Sequence, residues 1–472
     1  MKAKRNIILT TALFSLAALP ALAAEPGTTE KEVATASEVK AEAQPKIKQT
    51  NYTDDYEKFR FGGYGEMVAS FMDYGKNRFS GANYGNTREH RSTIAIPRFV
   101  LALDYKFNSK WVLGAEIEFE SGGVGIEQEM ESAPGGTENM EYEREMEKGG
   151  EVALEQFHIT RLINPAFNVR VGHMIVPLGL TNSHHEPINF FGTSRPEGET
   201  TILPSTWHET GVSVFGTFGK GYATFDYQAM VVAGLNPDGF GMLNWVQGGK
   251  QGLFESDNFS SPAYVARLDY KGVPGLRLGA SAYYCHDVLK NADKSWKYSS
   301  ISRSALKIFS FDGQYKNQYV TARANVIWGN LDNASAIGNV VTGNKSNTNS
   351  YPTGVRRHVA KTALCYGGEL GVNVSKFFKK GKCPVIYPFV RYDYYNPQQK
   401  GDDNQTMQNI LQVSKWTAGV NWYALPNLVV KADYTTRQIG TQKVFGTTKF
   451  NSENELSFGI AYIGWFTKRS II

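Results

Sequence analysis

The chain has 472 residues, with 50 Lys and Arg against 45 Asp and Glu and a formal net charge of +5, at a mean hydropathy of −0.36. So slight an excess over this length implies neither nucleic acid nor an acidic partner, and past the first residues no apolar run is long enough for a transmembrane helix. The 47 Gly, 25 Tyr and 27 Phe favour strands, tight turns and interfacial rings over a soluble core rich in Leu, Ile and Val.

Lys2, Lys4 and Arg5 precede an apolar run from Ile7 to Leu19, followed by Pro20 and the small-residue pattern Ala21-Leu22-Ala23. This is the layout of a cleaved export signal over residues 1–23, with no cysteine nearby for a lipid anchor. Residues 24–57, rich in Glu, Lys, Ala and Thr and broken by Pro26 and Pro45, read as a flexible periplasmic lead-in. Cys285, Cys365 and Cys383 are odd in number and widely spaced, which fits neither a disulfide framework nor a zinc cluster.

Residues 58–466 alternate apolar and polar side chains in segments separated alternately by short turns and long polar loops, the asymmetry of an all-β transmembrane antiparallel β-barrel. Asn108-Ser109-Lys110, Asn164-Pro165, Gly219-Lys220-Gly221, Pro274-Gly275, Lys316-Asn317-Gln318, Pro426-Asn427 and a longer connection from Lys379 to Pro384 are the short turns. Seven such turns opposite eight loops predict about sixteen strands, enough for an aqueous lumen in place of a packed interior. The expected strands span 59–73, 92–107, 111–121, 151–163, 166–176, 209–218, 222–235, 263–272, 276–286, 307–315, 319–330, 359–375, 385–396, 411–425, 428–439 and 455–466.

Two loops differ from the rest. Residues 122–150 hold eight Glu against Arg144 and Lys148, a solvated external loop that could meet divalent cations bridging lipopolysaccharide. Residues 177–208 are too long and too apolar for a free surface loop: Phe190, Phe191, Ile202, Leu203 and Trp207 need burial, and the inside of the barrel wall offers it. The loop is therefore expected to fold inward and narrow the pore, presenting His184, His185, Glu186, Arg195, Glu197, Glu199 and His208 to it.

Alternation assigns the remaining side chains. In the last strand Leu456, Phe458, Ile460, Tyr462 and Phe466 face lipid, while Glu455, Ser457, Gly459 and Ala461 face inward; in 263–272 Tyr264, Ala266, Leu268 and Tyr270 face lipid. Arg98, Arg170, Arg267, Lys271, Arg323, Arg391, Lys431 and Arg437 then point into the lumen with Asp104, Asp269, Asp393 and Asp433, since lipid exposure of an Arg or Lys near the midplane costs roughly 2–4 kcal/mol. They are expected to line water, and their excess of cations to favour anions. A tail, 467–472, follows Phe466.

At Gly172-His173, Val176-Pro177-Leu178-Gly179, Glu186-Pro187, Arg195-Pro196 and the run from Ile202 to Val212, the chain resembles the phosphate-selective porin (porin O/P) family of outer-membrane porins, in the form common among Bacteroidota-like bacteria. The resemblance implies a barrel of about sixteen strands, a homotrimer, a third external loop that constricts the channel, and a basic track for anions. In one respect the chain departs from that pattern: the loop carries Arg195 alone against Glu186, Glu197 and Glu199.

A metal reading of His184, His185, Glu186 and His208 lacks the spacing of a known metal motif, and adjacent histidines on an extended loop point apart. Ser205, His208 and Glu209 are close in sequence but show no nucleophile elbow. The expectation is thus a non-enzymatic outer-membrane porin without cofactor, metal or nucleic-acid partner, set among outer-membrane lipid and lipopolysaccharide and passing small hydrophilic or anionic solutes. A surface adhesin or envelope-anchoring barrel is the alternative.

Overall fold

The computed structural model describes residues 58–74, 89–121, 127–130, 144–147, 152–251, 256–341, 359–378, 384–402, 411–440 and 450–467. The expected export signal and lead-in, Cys383 and, after Thr467, the tail lie outside the described residues. Strands follow in the order β1 (Phe59–Tyr74), β2 (Glu89–Asn108), β3 (Trp111–Glu120), β4 (Glu127–Met130), β5 (Arg144–Glu147), β6 (Val152–Asn164), β7 (Phe167–Ile175), β8 (His208–Lys220), β9 (Ala223–Val232), β10 (Ala263–Tyr270), β11 (Leu276–Cys285), β12 (Leu306–Lys316), β13 (Val320–Leu331), β14 (Thr362–Val372), β15 (Val385–Lys400), β16 (Val413–Leu425), β17 (Leu428–Gly440) and β18 (Phe450–Thr467).

All except β4 and β5 form one closed antiparallel barrel of sixteen strands, each paired with its neighbours around the ring and β1 with β18. Closure leaves no unpaired strand edge, which is what hydrocarbon demands of a β structure. The seam is in register from Gly62, opposite Trp465, to Asp73, opposite Asn454, and the Ser70 and Ser457 hydroxyls meet across it at 3.1 Å. β4 and β5 pair only with each other, inside the acidic segment that the sequence reads as irregular loop.

The short turns have a shared chemistry. The side-chain oxygens of Asn108, Asn164 and Asn317 each accept from the amide N–H groups two and three residues on, at 2.7–3.1 Å, so each asparagine replaces the ladder partners that the turn removes. Between β8 and β9 the reversal uses Gly219 and Gly221 at φ 87° and 57°, left-handed backbone that a side chain disfavours.

Alternation holds where both neighbours are regular. In β10, Leu268 is 43% exposed while Arg267 beside it is 5% exposed. The interior differs from the expected open aqueous lumen, however. At the long-loop end, inward residues such as Val265, Tyr283, Ile308 and Ile327 join loop residues Leu178, Ile202, Trp207, Trp245, Leu289 and Ile337 in one buried apolar cluster. The reason is local: the connections after β7, β9, β11 and β13 carry apolar side chains that face inward strand residues of the same character, and burial of apolar area favours folding them in.

An arginine introduced on the outer face should therefore be far less tolerated than one introduced inside. Leu268→Arg is expected to destabilise the barrel by roughly 2–4 kcal/mol in reversible unfolding from liposomes, and Gln228→Arg, on an inward half-buried position, by well under half of that.

Candidate functional site

Loop 176–207 leaves β7 and returns to β8 at one point, where the Val176 N–H donates to the Trp207 carbonyl at 2.9 Å. Asn182 braces that neck, donating to the Val176 carbonyl at 2.7 Å and accepting from the Trp207 N–H at 2.6 Å. Further along, the short helix Glu197–Ile202 brings Glu199 back over the start of the loop. Its carboxylate accepts from the N–H groups of Leu180, Thr181 and Asn182 at 3.0, 3.1 and 2.6 Å, and from the Asn325 side chain at 2.7 Å. Burial pushes the Glu199 carboxyl up to about 7 despite those N–H donors.

The loop is bonded to walls on all sides. Towards β15–β17, Glu197 accepts from the Tyr395 hydroxyl at 2.6 Å, is paired with Arg437, and has the Lys415 ammonium 3.5 Å away. Lys431 donates to the carbonyls of Pro187, Phe190 and Gly192 at 2.5, 3.1 and 2.7 Å. Arg391 donates to those of Phe191 and Ser194 at 2.7 and 2.8 Å, and the Thr193 N–H donates to Asp433 at 2.6 Å. Phe191 stacks on Phe389 with ring centres 5.2 Å apart and lies against Gly371, where a Cβ would come within 2.3 Å of the ring.

On the other side, Arg98 of β2 donates to the His185 carbonyl at 3.1 Å. Arg267 of β10 donates to the Gly179 carbonyl at 3.1 Å, and Arg277 of β11 meets His184 Nε2 at 2.5 Å. Strands β2, β10, β11 and β15–β17 are spread around the ring, so one loop reaches them all only from inside the barrel.

The inward cations point where alternation places them, yet most do not line open water. Arg98 is buried with Glu66 and Glu118, Arg267 with Asp269 and Asp312, and Arg391, 1% exposed, with Asp393, while half-buried Arg323 pairs with Glu369. Arg170 is buried over the Phe215 ring and donates to the Thr160 hydroxyl. Lys271, whose side chain keeps 40% exposure, pairs with Asp226 at 2.6 Å, and Arg437 also binds Glu453 at 2.8 Å. The expected water-lining basic track is not what these residues form: where the loop occupies the lumen, most of the charges meet an opposite charge or a carbonyl, because an unpaired buried ion is costly.

His184 and His185 point to different walls, although they stand at the end of the 3-10 turn Asn182–His184 and not on extended backbone as expected. Burial, with Arg277 and Arg267 alongside, holds the His184 imidazole down at about 3, so it is neutral and accepts from Arg277. Glu186 accepts from the Asn189 side chain at 2.7 Å. Arg195 closes the loop on itself, donating to the Ser205 and Thr206 hydroxyls at 2.7 and 3.2 Å. His208 sits against His173, with ring nitrogens 2.5 Å apart. Ser205, His208 and Glu209 are not brought together as a triad: Glu209 accepts from the Trp207 indole and the Gly234 N–H, and Ser205 is held by Arg195. Sequence reasoning missed Lys415, Tyr395, Asn325 and Glu369. Of these Lys415 was detectable, since it shares a face with inward Thr417 and alternates with lipid-facing Trp416. A small recess remains between the loop and β12–β15, lined by Leu180, Asn189, Phe190, Arg323, Glu369 and Arg391.

The two helix carboxyls make pH predictions of opposite sign. Burial opposes the charge of Glu197, but Lys415, Arg437 and the Tyr395 hydroxyl outweigh it and hold the carboxyl at about 2. Its contribution to latching is full above an ordinary carboxylate value of about 4.5 and is lost as pH falls towards 2. For Glu199 the raised value means that latching weakens as pH climbs from about 4.5 to 7. Thermal unfolding across that range should show wild type exceeding Glu197→Gln by on the order of 2 kcal/mol at neutral pH, with the gap closing in acid. The wild type's margin over Glu199→Gln should shrink between about pH 4.5 and 7.

No family model matches the chain. A protein of Aquifex aeolicus (strain VF5), described as an uncharacterized protein, is 23% identical over 394 residues, which is 81% of this chain and 76% of that one. Among solved structures, Salmonella typhi OmpF in complex with daunomycin aligns at a TM-score of 0.50 and 10% identity, covering 87% of this chain and 99% of its own. The anion-selective porin from Comamonas acidovorans aligns at 0.48 and 8%, covering 86% and 99%. The likeness to OmpF shows the porin-type fold. With its closed ring and apolar outer face, the chain is a multi-pass β-barrel of the bacterial outer membrane.

Proposed function

We propose that this barrel is a passive porin, in which small hydrophilic solutes diffuse through the water left beside loop 176–207 without energy coupling, catalysis or cofactor. The observation that carries this reading is the attachment of one loop to opposite walls, from Arg98 and Arg277 on one side to Lys431 and Arg437 on the other. Such a brace fixes an aperture, whereas a transport cycle needs an element free to move. An anion preference, with phosphate as one candidate, is the finer part of the proposal. It draws support from Lys271 and Arg277, whose side chains keep 40% and 34% exposure at the short-turn mouth, and from the resemblance to phosphate-selective porins. The homotrimer rests on that resemblance alone.

The test is single-channel recording from the refolded barrel in a planar bilayer, with the reversal potential read under a potassium chloride gradient and phosphate then added. Stable channels that favour chloride, with selectivity reduced in Lys271→Gln/Arg277→Gln, are expected. Block by phosphate at low concentration would mark phosphate as the solute, and weak selectivity without block would reduce the reading to general diffusion. A folded barrel that conducts nothing overturns the proposal and favours a role in surface attachment.

A further inference from the structure

Where β3 pairs with β6 the register slips: Glu116 is opposite Gln156 and Ile117 is opposite Leu154, leaving Glu155 as the extra residue of a β-bulge. Glu155 and Gln156 are consequently both buried, although a regular strand would send one of them to lipid; bulges re-aim side chains in this way. The loop brings His185 to the same spot. One ligand-capable atom from each of Glu116, Glu155 and His185 lies within 4.8 Å of the other two.

Each of the three is braced by a neighbour. Gln156 donates to one Glu116 oxygen, and the Tyr64 hydroxyl donates to Glu155 Oε2 at 3.4 Å. His185 Nδ1 lies 3.2 Å from the Asn182 carbonyl. A carbonyl only accepts, so Nδ1 carries a proton, and in the neutral ring Nε2 is the free lone pair. That nitrogen and Glu155 Oε1 are buried, face each other at 4.0 Å and have no hydrogen-bond partner among the described residues. Both residues are 1% exposed.

A lone pair aimed at two carboxylates is repulsive unless a proton or a cation lies between them. Glu118 and Glu186 are further carboxyl groups close by, and Arg98 approaches Glu118 on this wall. A histidine whose second nitrogen is held by a backbone carbonyl, beside carboxylates that are themselves hydrogen-bonded, is the usual outer-sphere support of a metal ligand.

We propose that Glu116, Glu155 and His185 bind one divalent transition-metal ion of the zinc class, clipping the loop to the β3–β6 wall. One imidazole and two carboxylates suit zinc, whereas calcium and magnesium seek more oxygen ligands. Bonds of about 2.0–2.2 Å would draw the three atoms together to about 3.3 Å, from their present separations of up to 4.8 Å. The ion would complete the ring of loop attachments on the wall that otherwise holds the loop through Arg98. The proposal needs only the folded barrel and is independent of the transport reading.

The experiment strips the purified, folded full-length protein with a chelator and titrates it with zinc against a chromogenic competitor, folding being checked by heat-dependent gel migration. One zinc per chain is expected, weakened about tenfold or more in Glu155→Gln and in His185→Gln and unchanged in His286→Gln, an exposed histidine elsewhere. Cobalt should give a visible absorption band that the same two variants lose. Should the variants fail to fold, the wild-type cobalt band decides, its absence overturning the site. Less than a small fraction of an equivalent of zinc, or stoichiometric binding that both variants retain, also overturns it.

Discussion

A charge that points into a barrel must meet water or an opposite charge, and in this protein loop 176–207 has taken much of the place of water. The rest of the interior follows from that exchange. Lys431 gives its three protons to three loop carbonyls, Arg391 caps two more, and Glu197 on the loop is met by Arg437 and Lys415 from the wall. Loop backbone and wall cations solve each other's problem, since buried carbonyls and buried ammonium groups are each costly alone.

The apolar side chains act in the same direction. Phe191 against Phe389 and Gly371 fixes the loop where Glu369 and Arg391 can reach its backbone. At the long-loop end, Leu178, Ile202 and Trp207 join inward strand residues in a continuous cluster. The barrel interior thus holds an apolar core as well as inward charges. Apolar burial along the loop acts together with the ion pairs to hold it against the wall.

Much of the fold was legible because a membrane barrel is written in local signals. Alternation and asparagine or glycine turns located all sixteen barrel strands, and the apolar character of Phe190, Phe191 and Trp207 located the inward loop. What was not legible is non-local. The β-bulge that turns Glu155 inward leaves no mark in the sequence, because a bulge is a property of two paired strands. Apart from same-strand neighbours such as Arg267 with Asp269 and Arg391 with Asp393, many partners of the inward charges lie tens to hundreds of residues away along the chain, Asp433 with Thr193 among them. Charge parity tells which way a side chain points, and says nothing of what it meets, which is why the sequence suggests free cations. The β4–β5 hairpin was hidden by its glutamates, which favour exposure without excluding a strand.

The most direct check on the account is a covalent one, at the point where the loop helix meets the wall. A Cβ placed at Gly198 lies 3.0 Å from the Cβ of Cys365, a free and buried cysteine of β14, a few tenths of an ångström short of the usual disulfide separation of about 3.5–4.5 Å. Gly198→Cys in the folded protein should form an intramolecular disulfide with Cys365 on mild oxidation, identified by peptide mapping. An introduced thiol that stays reduced in the folded barrel and reacts from outside with an impermeant maleimide would contradict the inward loop and everything argued from it.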